Sequence, residues 1–222
     1  MSSVPSSVPE PGPLVRGEDL LGPVDVVASA LLGCWVVTDR PDGRVALRLT
    51  EVEAYSGEGM DPAAHSHGGP TPRSEIMFGP PGRLYVYFSY GVHWCANVVV
   101  GPEGRGSAVL LRAGEVVVGE ELARRRRPAA RAARDLARGP ARLTQALGIG
   151  PDDRGTDLLD AGSSVRLHRG EPPAGVSAGP RVGITKATEL PWRFWQTDAP
   201  SISPFRAGGK PRRRRAGQDG PS

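Results

Sequence analysis

Residues 34–55, CWVVTDRPDGRVALRLTEVEAY, constrain this chain more than any other stretch. Two runs rich in β-branched and aliphatic residues flank a Pro-Asp-Gly turn, so CWVVTD reads as a strand, RPDGR as the turn and VALRLTEVEAY as the returning strand. The pattern recurs downstream. GRLYVYFS (82–89) and HWCANVVV (93–100) read as two strands joined near Tyr90-Gly91, and GSAVLLRAGEVV (106–117) as another. SVRLHRG (164–170) and PRVGIT (180–185) add two more. In GPVDVVASALLG (22–33), Val26, Val27, Ala30 and Leu31 share a helical face and Gly33 is placed to stop the helix. GEELARRRRPAARAARDLARG (119–139) reads as a helix broken at Pro128 and ended by Gly139-Pro140, followed by the short amphipathic helix PARLTQALGI (140–149). Strands that pair as sequence neighbours, with helices before and after them, predict an α+β domain around an antiparallel sheet.

At 222 residues the chain suits one domain with a full core. The 30 glycines and 23 prolines imply many turns. The ends, MSSVPSSVPEPGP (1–13) and 206–222 with its basic AGGKPRRRRAGQDGPS, have too few large apolar residues to offset their ordering entropy. Both read as disordered tails around a folded part at 14–205. Two cysteines make neither a disulfide framework nor a metal-site spacing. The first residues lack a basic-then-apolar signal pattern. The longest apolar run, VDVVASALLGCWVV, contains Asp25 and Ser29 and is too short for a bilayer. An intracellular protein with no membrane partner is expected. The net charge is only +4, but arginines cluster at 123–138 and 210–215. Such patches suit a phosphate backbone, and equally a solvated surface.

The aromatic residues are few, 5% of the chain, yet Tyr85, Tyr87 and Tyr90 fall within six positions. By strand parity Tyr85, Tyr87 and Ser89 point one way and Leu84, Val86 and Phe88 the other, which places the two tyrosines on the accessible face. Tyr90 sits at the turn, where a large ring has no core to enter. On the preceding strand, Leu47, Leu49, Glu51, Glu53 and Tyr55 share one face. A carboxylate two residues before a tyrosine can serve as a general base beside a stacking platform, and it can equally be an exposed strand-edge glutamate. The loop at 56–72 carries Asp61, His65 and His67, a weak metal-site pattern. Loops of that length inside a domain are usually functional.

Several short motifs occur together: EVEAY (51–55), AAHS (63–66), TPR (71–73), MF (77–78), LYVYFSYG (84–91), Asn97 six positions after Gly91, LLRA (110–113), GPARLTQALGI (139–149) and RVGI (181–184). In this order they resemble the alkyladenine (3-methyladenine) DNA glycosylase family, from about ALLGCWVV (30–37) to RFW (193–195). EVEAY followed by LYVYFSYG is the most specific part. The architecture expected is then a single domain with a curved antiparallel β-sheet core, flanking helices and a protruding β-hairpin.

The resemblance implies a monofunctional hydrolase of base-excision repair that flips alkylated or deaminated purines out of double-stranded DNA and leaves an abasic site. It implies that Glu53 activates the water, that Tyr55, His65 and Tyr87 hold the flipped base, and that Asn97 rejects the 2-amino group of guanine. Tyr90 would wedge into the minor groove, and Arg112 would lie near the catalytic water and the DNA backbone. No metal or organic cofactor is implied, and no lysine is expected near Glu53. A monomer is expected, and the alanine-, arginine- and glycine-heavy composition suggests a bacterial cell. Glu51 remains an alternative base on the same inferred face. A non-catalytic DNA damage-binding protein is the competing reading, and a metal-dependent hydrolase built on Asp61, His65 and His67 a third.

Overall fold

A computed structural model describes residues 10–57, 59–89 and 91–209. Its strands are β1 (Trp35–Arg40), β2 (Gly43–Tyr55), β3 (Leu84–Ser89), β4 (His93–Val100), β5 (Ser107–Val118), β6 (Val165–His168), β7 (Val176–Gly179) and β8 (Arg193–Gln196). They form one antiparallel sheet in the order β3-β4-β5-β2-β1-β6, with β8 pairing with β2 and β7 pairing with β8. The long β2 strand organises this arrangement. Its first half pairs with β1 and residues 51–53 pair with β8, while β5 runs along the other edge. That fork, with the β2–β5 bulges, curls the sheet.

One face of the sheet is closed by α1 (Val24–Ala30), α2 (Glu120–Arg126) and α3 (Pro140–Leu147). Val27, Ala28, Leu31, Leu122, Leu143 and Leu147 pack there against Leu47, Leu49, Val52, Ala54, Val109 and Leu111. Truncating one such leucine to alanine costs about 2–5 kcal/mol. The opposite face carries the polar and aromatic residues considered below.

The α+β reading holds, and several local expectations are corrected. In α1 the buried face is Val24, Val27, Ala28 and Leu31, while Val26 is exposed, because the helix starts at Val24 and its i, i+3, i+4, i+7 stripe begins there. The arginine-rich helix ends at Arg126 and does not resume after Pro128; only a single 3₁₀ turn forms at Ala133–Asp135. Pro128 lacks an amide hydrogen, and the residue before a proline is pushed out of the helical region. PRVGIT is a loop, while the nearby strands are β7 and β8 on either side of it. Phe88 is exposed and packs on Trp94 instead of entering the core with Leu84 and Val86. Gly33 does end the α1 turn: its φ is +85°, and a Cβ there would lie 2.1 Å from the Glu171 carbonyl oxygen.

The tyrosine parity in β3 is right, but Tyr85 is buried, packed with Met77, Val99 and Ala108. The parity in β2 is wrong. Leu47 and Leu49 face the helices, and so do Val52 and Ala54, because Thr50 is an extra residue opposite β5. The bulge turns Glu51, Glu53 and Tyr55 to the other face. Arg112 is the extra residue on β5, between Leu111 and Ala113, which brings its side chain onto the same side as the two glutamates. Tyr90 and the basic run at 210–215 lie outside the described residues.

Candidate active site

Both β2 carboxylates are completely shielded from solvent, so neither is the exposed strand-edge residue that the sequence allows. Their environments differ. Glu51 Oε1 accepts from Arg112 Nε at 2.9 Å, Arg193 Nε at 2.7 Å and Ser203 Oγ at 2.7 Å, and Oε2 accepts from the Ser203 amide at 2.6 Å. Burial raises the cost of its charge, but Arg112, Arg193 and the Ser203 donors outweigh that and hold its pKa below the ordinary value. Glu51 is thus a fixed anion, with three donors on Oε1 and one on Oε2.

Glu53 is held more loosely. Oε1 accepts from the Val182 amide at 2.6 Å and lies 3.3 Å from Arg112 Nη1. Oε2 accepts from the Tyr55 hydroxyl at 2.8 Å. Burial pushes its pKa up, and the opposing pull of Arg112, the Val182 amide and Tyr55 does not restore it. The result is a wholly buried carboxylate above its ordinary pKa, with one donor on Oε2 among the described residues and a single amide donor plus the more distant Arg112 on Oε1. Arg112 is also buried; the charges of Glu53 and Glu51 overcome its desolvation and keep it cationic.

In front of Glu53 the sheet is lined by rings. Tyr85 and Tyr87 stack at 5.4 Å with an interplanar angle of 27°. His65, brought in by the 56–72 loop, meets Tyr87 edge-on at 4.6 Å, and its Nδ1 lies 3.1 Å from the Tyr85 hydroxyl. The low-polarity walls, and then the charge of Arg73, push the His65 pKa down to about 4, so the ring is neutral at pH 7. Asn97 is nearly buried and donates from Nδ2 to the Tyr85 carbonyl at 3.1 Å. Tyr55, His65, Tyr87, Asn97 and Arg112 all line one open cavity of about 1420 Å³, ample for a purine and its sugar. His93 and Cys95 lie on its wall as well.

A buried ion pair anchors the loop to this site. Arg181 grips Asp61 through two bonds, Nη1 to Oδ2 at 2.5 Å and Nη2 to Oδ1 at 2.9 Å, and Nη1 also donates to the Ala54 carbonyl at 2.9 Å. Its guanidinium lies over the Tyr55 ring at 4.6 Å. With Asp61 committed to Arg181, the metal-binding trio of Asp61, His65 and His67 does not assemble, and no such cluster of three occurs among the described residues.

The comparison with known proteins now decides between the readings. The sequence profile of the methylpurine-DNA glycosylase family matches residues 18–200. The chain belongs to that family. A relative from Streptomyces avermitilis, named "Putative 3-methyladenine DNA glycosylase", is 50% identical over 216 residues, 94% of this chain and 99% of the relative. Relatives of the same name from Nocardia farcinica and Burkholderia lata are 49% and 54% identical. Their alignments cover 87% and 69% of this chain and 92% and 74% of those proteins. The protein is therefore a DNA glycosylase, a monofunctional hydrolase acting on DNA in repair, with base flipping general to the family. No helix among the described residues is long and apolar enough to cross a membrane.

Tyr55, His65, Tyr87, Asn97 and Arg112 share the cavity wall, while the wholly buried Glu53 does not line it and meets it only through Tyr55 and Arg112; Tyr90 falls outside the described residues. Sequence reasoning missed Arg193, Ser203 and Arg181. Only RVGI hinted at the last, since Arg181 and Val182 both belong to it. It also missed that the loop after Val182 carries Lys186 to the cavity wall.

Proposed function

We propose that this glycosylase excises alkylated and deaminated purines, among them 3-methyladenine, 7-methylguanine, hypoxanthine and ethenoadenine, from duplex DNA. The observation that supports the reading is the loosely held, buried Glu53 carboxylate behind an aromatic cavity. The flipped purine stacks against Tyr55, Tyr87 and His65, whose faces accept many damaged bases without strict shape selection. Asn97 meets the position of an exocyclic 2-amino group and so excludes normal guanine. Tyr90 fills the gap left in the duplex.

Glu53 removes a proton from a water as its oxygen forms a bond to C1′ of the deoxyribose. The C1′–N bond breaks, its electron pair leaves with the base, and a hydroxyl remains on C1′. The carboxylate also stabilises the oxocarbenium-like charge of the transition state. Arg112, fixed by Glu51, keeps Glu53 oriented. A cationic lesion leaves as a neutral base, whereas hypoxanthine needs a proton to leave. The enzyme acts as a monomer, without metal or organic cofactor, on the DNA of a bacterial cell.

The test uses duplex oligonucleotides with one hypoxanthine or ethenoadenine, and alkylated DNA, all in EDTA. Alkali-labile abasic sites and released free base are expected. Tight binding without release from any of the substrates would overturn the reading.

A further inference from the structure

Two arginines sit over the rings that line the cavity, and their charges are handled differently. Arg181 lies over Tyr55, but it is fully buried and bidentate on Asp61, so its charge is matched locally. Arg73 lies over Tyr87, with Cζ 5.3 Å from the ring centre. It lines the cavity, and no carboxylate of the described residues lies within 4.0 Å of it. Its backbone is fixed in place: Arg154 Nη2 donates to the Pro72 and Arg73 carbonyls at 2.7 and 3.1 Å, and the Thr71–Ser74 turn is closed by side-chain bonds. The turn thus fixes where the Arg73 side chain starts, and the exposed residue lays its guanidinium over Tyr87 at the cavity wall.

The charges on the cavity surface are one-sided, while the Glu51 and Glu53 carboxylates that match Arg112 lie behind its wall. Arg112, Arg138, Arg142, Lys186 and Arg206 also line the cavity, and among the described residues no aspartate or glutamate does. This field attracts DNA phosphates at the mouth, but it opposes a positive charge placed against Tyr87. His65 reports the same opposition from inside the pocket, since Arg73 disfavours its cationic form. A guanidinium already occupying the electron-rich ring also weakens that ring's attraction for a second cation.

We propose that Arg73 is a specificity-determining residue, whose unmatched guanidinium over Tyr87 biases the pocket toward neutral damaged purines and against cationic ones. Hypoxanthine and ethenoadenine are neutral in DNA, whereas 3-methyladenine and 7-methylguanine carry a positive charge. The inference rests on the substrate range proposed above.

The experiment compares the full-length wild type with Arg73→Met and Arg73→Lys in single-turnover excision at saturating enzyme. The substrates are duplexes containing one hypoxanthine or one 7-methylguanine, with affinity for undamaged duplex measured alongside. Arg73→Met should raise the 7-methylguanine to hypoxanthine rate ratio about fivefold, the scale of one exposed cation–π or charge contact. Arg73→Lys, which keeps the charge, should hold the ratio within about twofold of wild type. An unchanged ratio in Arg73→Met overturns the inference. So does an equal fall in both rates with weaker binding to undamaged duplex, which would make Arg73 a phosphate contact. If wild type excises neither lesion, the proposed function fails first and takes this inference with it.

Discussion

Replacing Asp61 by asparagine keeps the side-chain shape but removes the one carboxylate that, among the described residues, is ion-paired with Arg181. Both side chains are wholly buried, and the pair is bidentate at 2.5 and 2.9 Å, so the substitution leaves a guanidinium without a counter-charge in the interior. Breaking such a pair from one side costs about 3–5 kcal/mol. In a domain of this size each kcal/mol moves the melting temperature by about 2–4 °C, so the fall should be about 6–20 °C. The Ala54 carbonyl still accepts from Arg181, which favours the lower part of that range. The double substitution Asp61→Leu with Arg181→Met removes both charges and should recover most of the loss. Thermal unfolding of wild type, single and double variants decides the matter. A fall below about 2 °C in Asp61→Asn, or a double variant no more stable than the single one, would refute the reasoning.

The two β2 glutamates should respond to pH and substitution in opposite senses. Glu51 has its folded pKa below the unfolded value, so its stabilisation is present above the unfolded pKa and is lost as pH falls through the folded one. Glu51→Gln should lower the melting temperature at pH 7 and flatten the acid side of the stability curve. Glu53 has its folded pKa above the unfolded value, so ionising it opposes folding as pH rises; Glu53→Gln should melt at or above the wild-type temperature at pH 7. The same rise governs catalysis: excision of cationic 7-methylguanine should fall at acid pH with a midpoint above the ordinary glutamate value of 4.5, measured as a single-turnover pH–rate profile.

The first five strands were legible because each combines aliphatic or aromatic runs with Gly, Pro or Asp punctuation, a local signal that survives folding. β7 and β8 are four residues each and stand beside irregular loops, so nothing local separates them from PRVGIT. The β2 face was misread because one bulged residue, Thr50, reverses the alternation, and a bulge leaves no mark in residue types. Of the residues proposed for the site, Glu53, Tyr55, Tyr87 and Tyr90 were named through EVEAY and LYVYFSYG. What those motifs left open was the choice between Glu51 and Glu53. It turns on Arg193 and Ser203, which come from the far end of the chain and identify themselves only by contact.

The most direct test of the account is single-turnover excision of 7-methylguanine and hypoxanthine by Glu53→Gln and Glu51→Gln, with affinity for abasic duplex measured in parallel. The account predicts that Glu53→Gln binds the duplex like wild type and releases neither base. Glu51→Gln should keep a reduced but measurable rate, because its loss disturbs Arg112 without removing the base. Excision by Glu53→Gln near the wild-type rate, or complete loss in Glu51→Gln with a folded, DNA-binding protein, would contradict it.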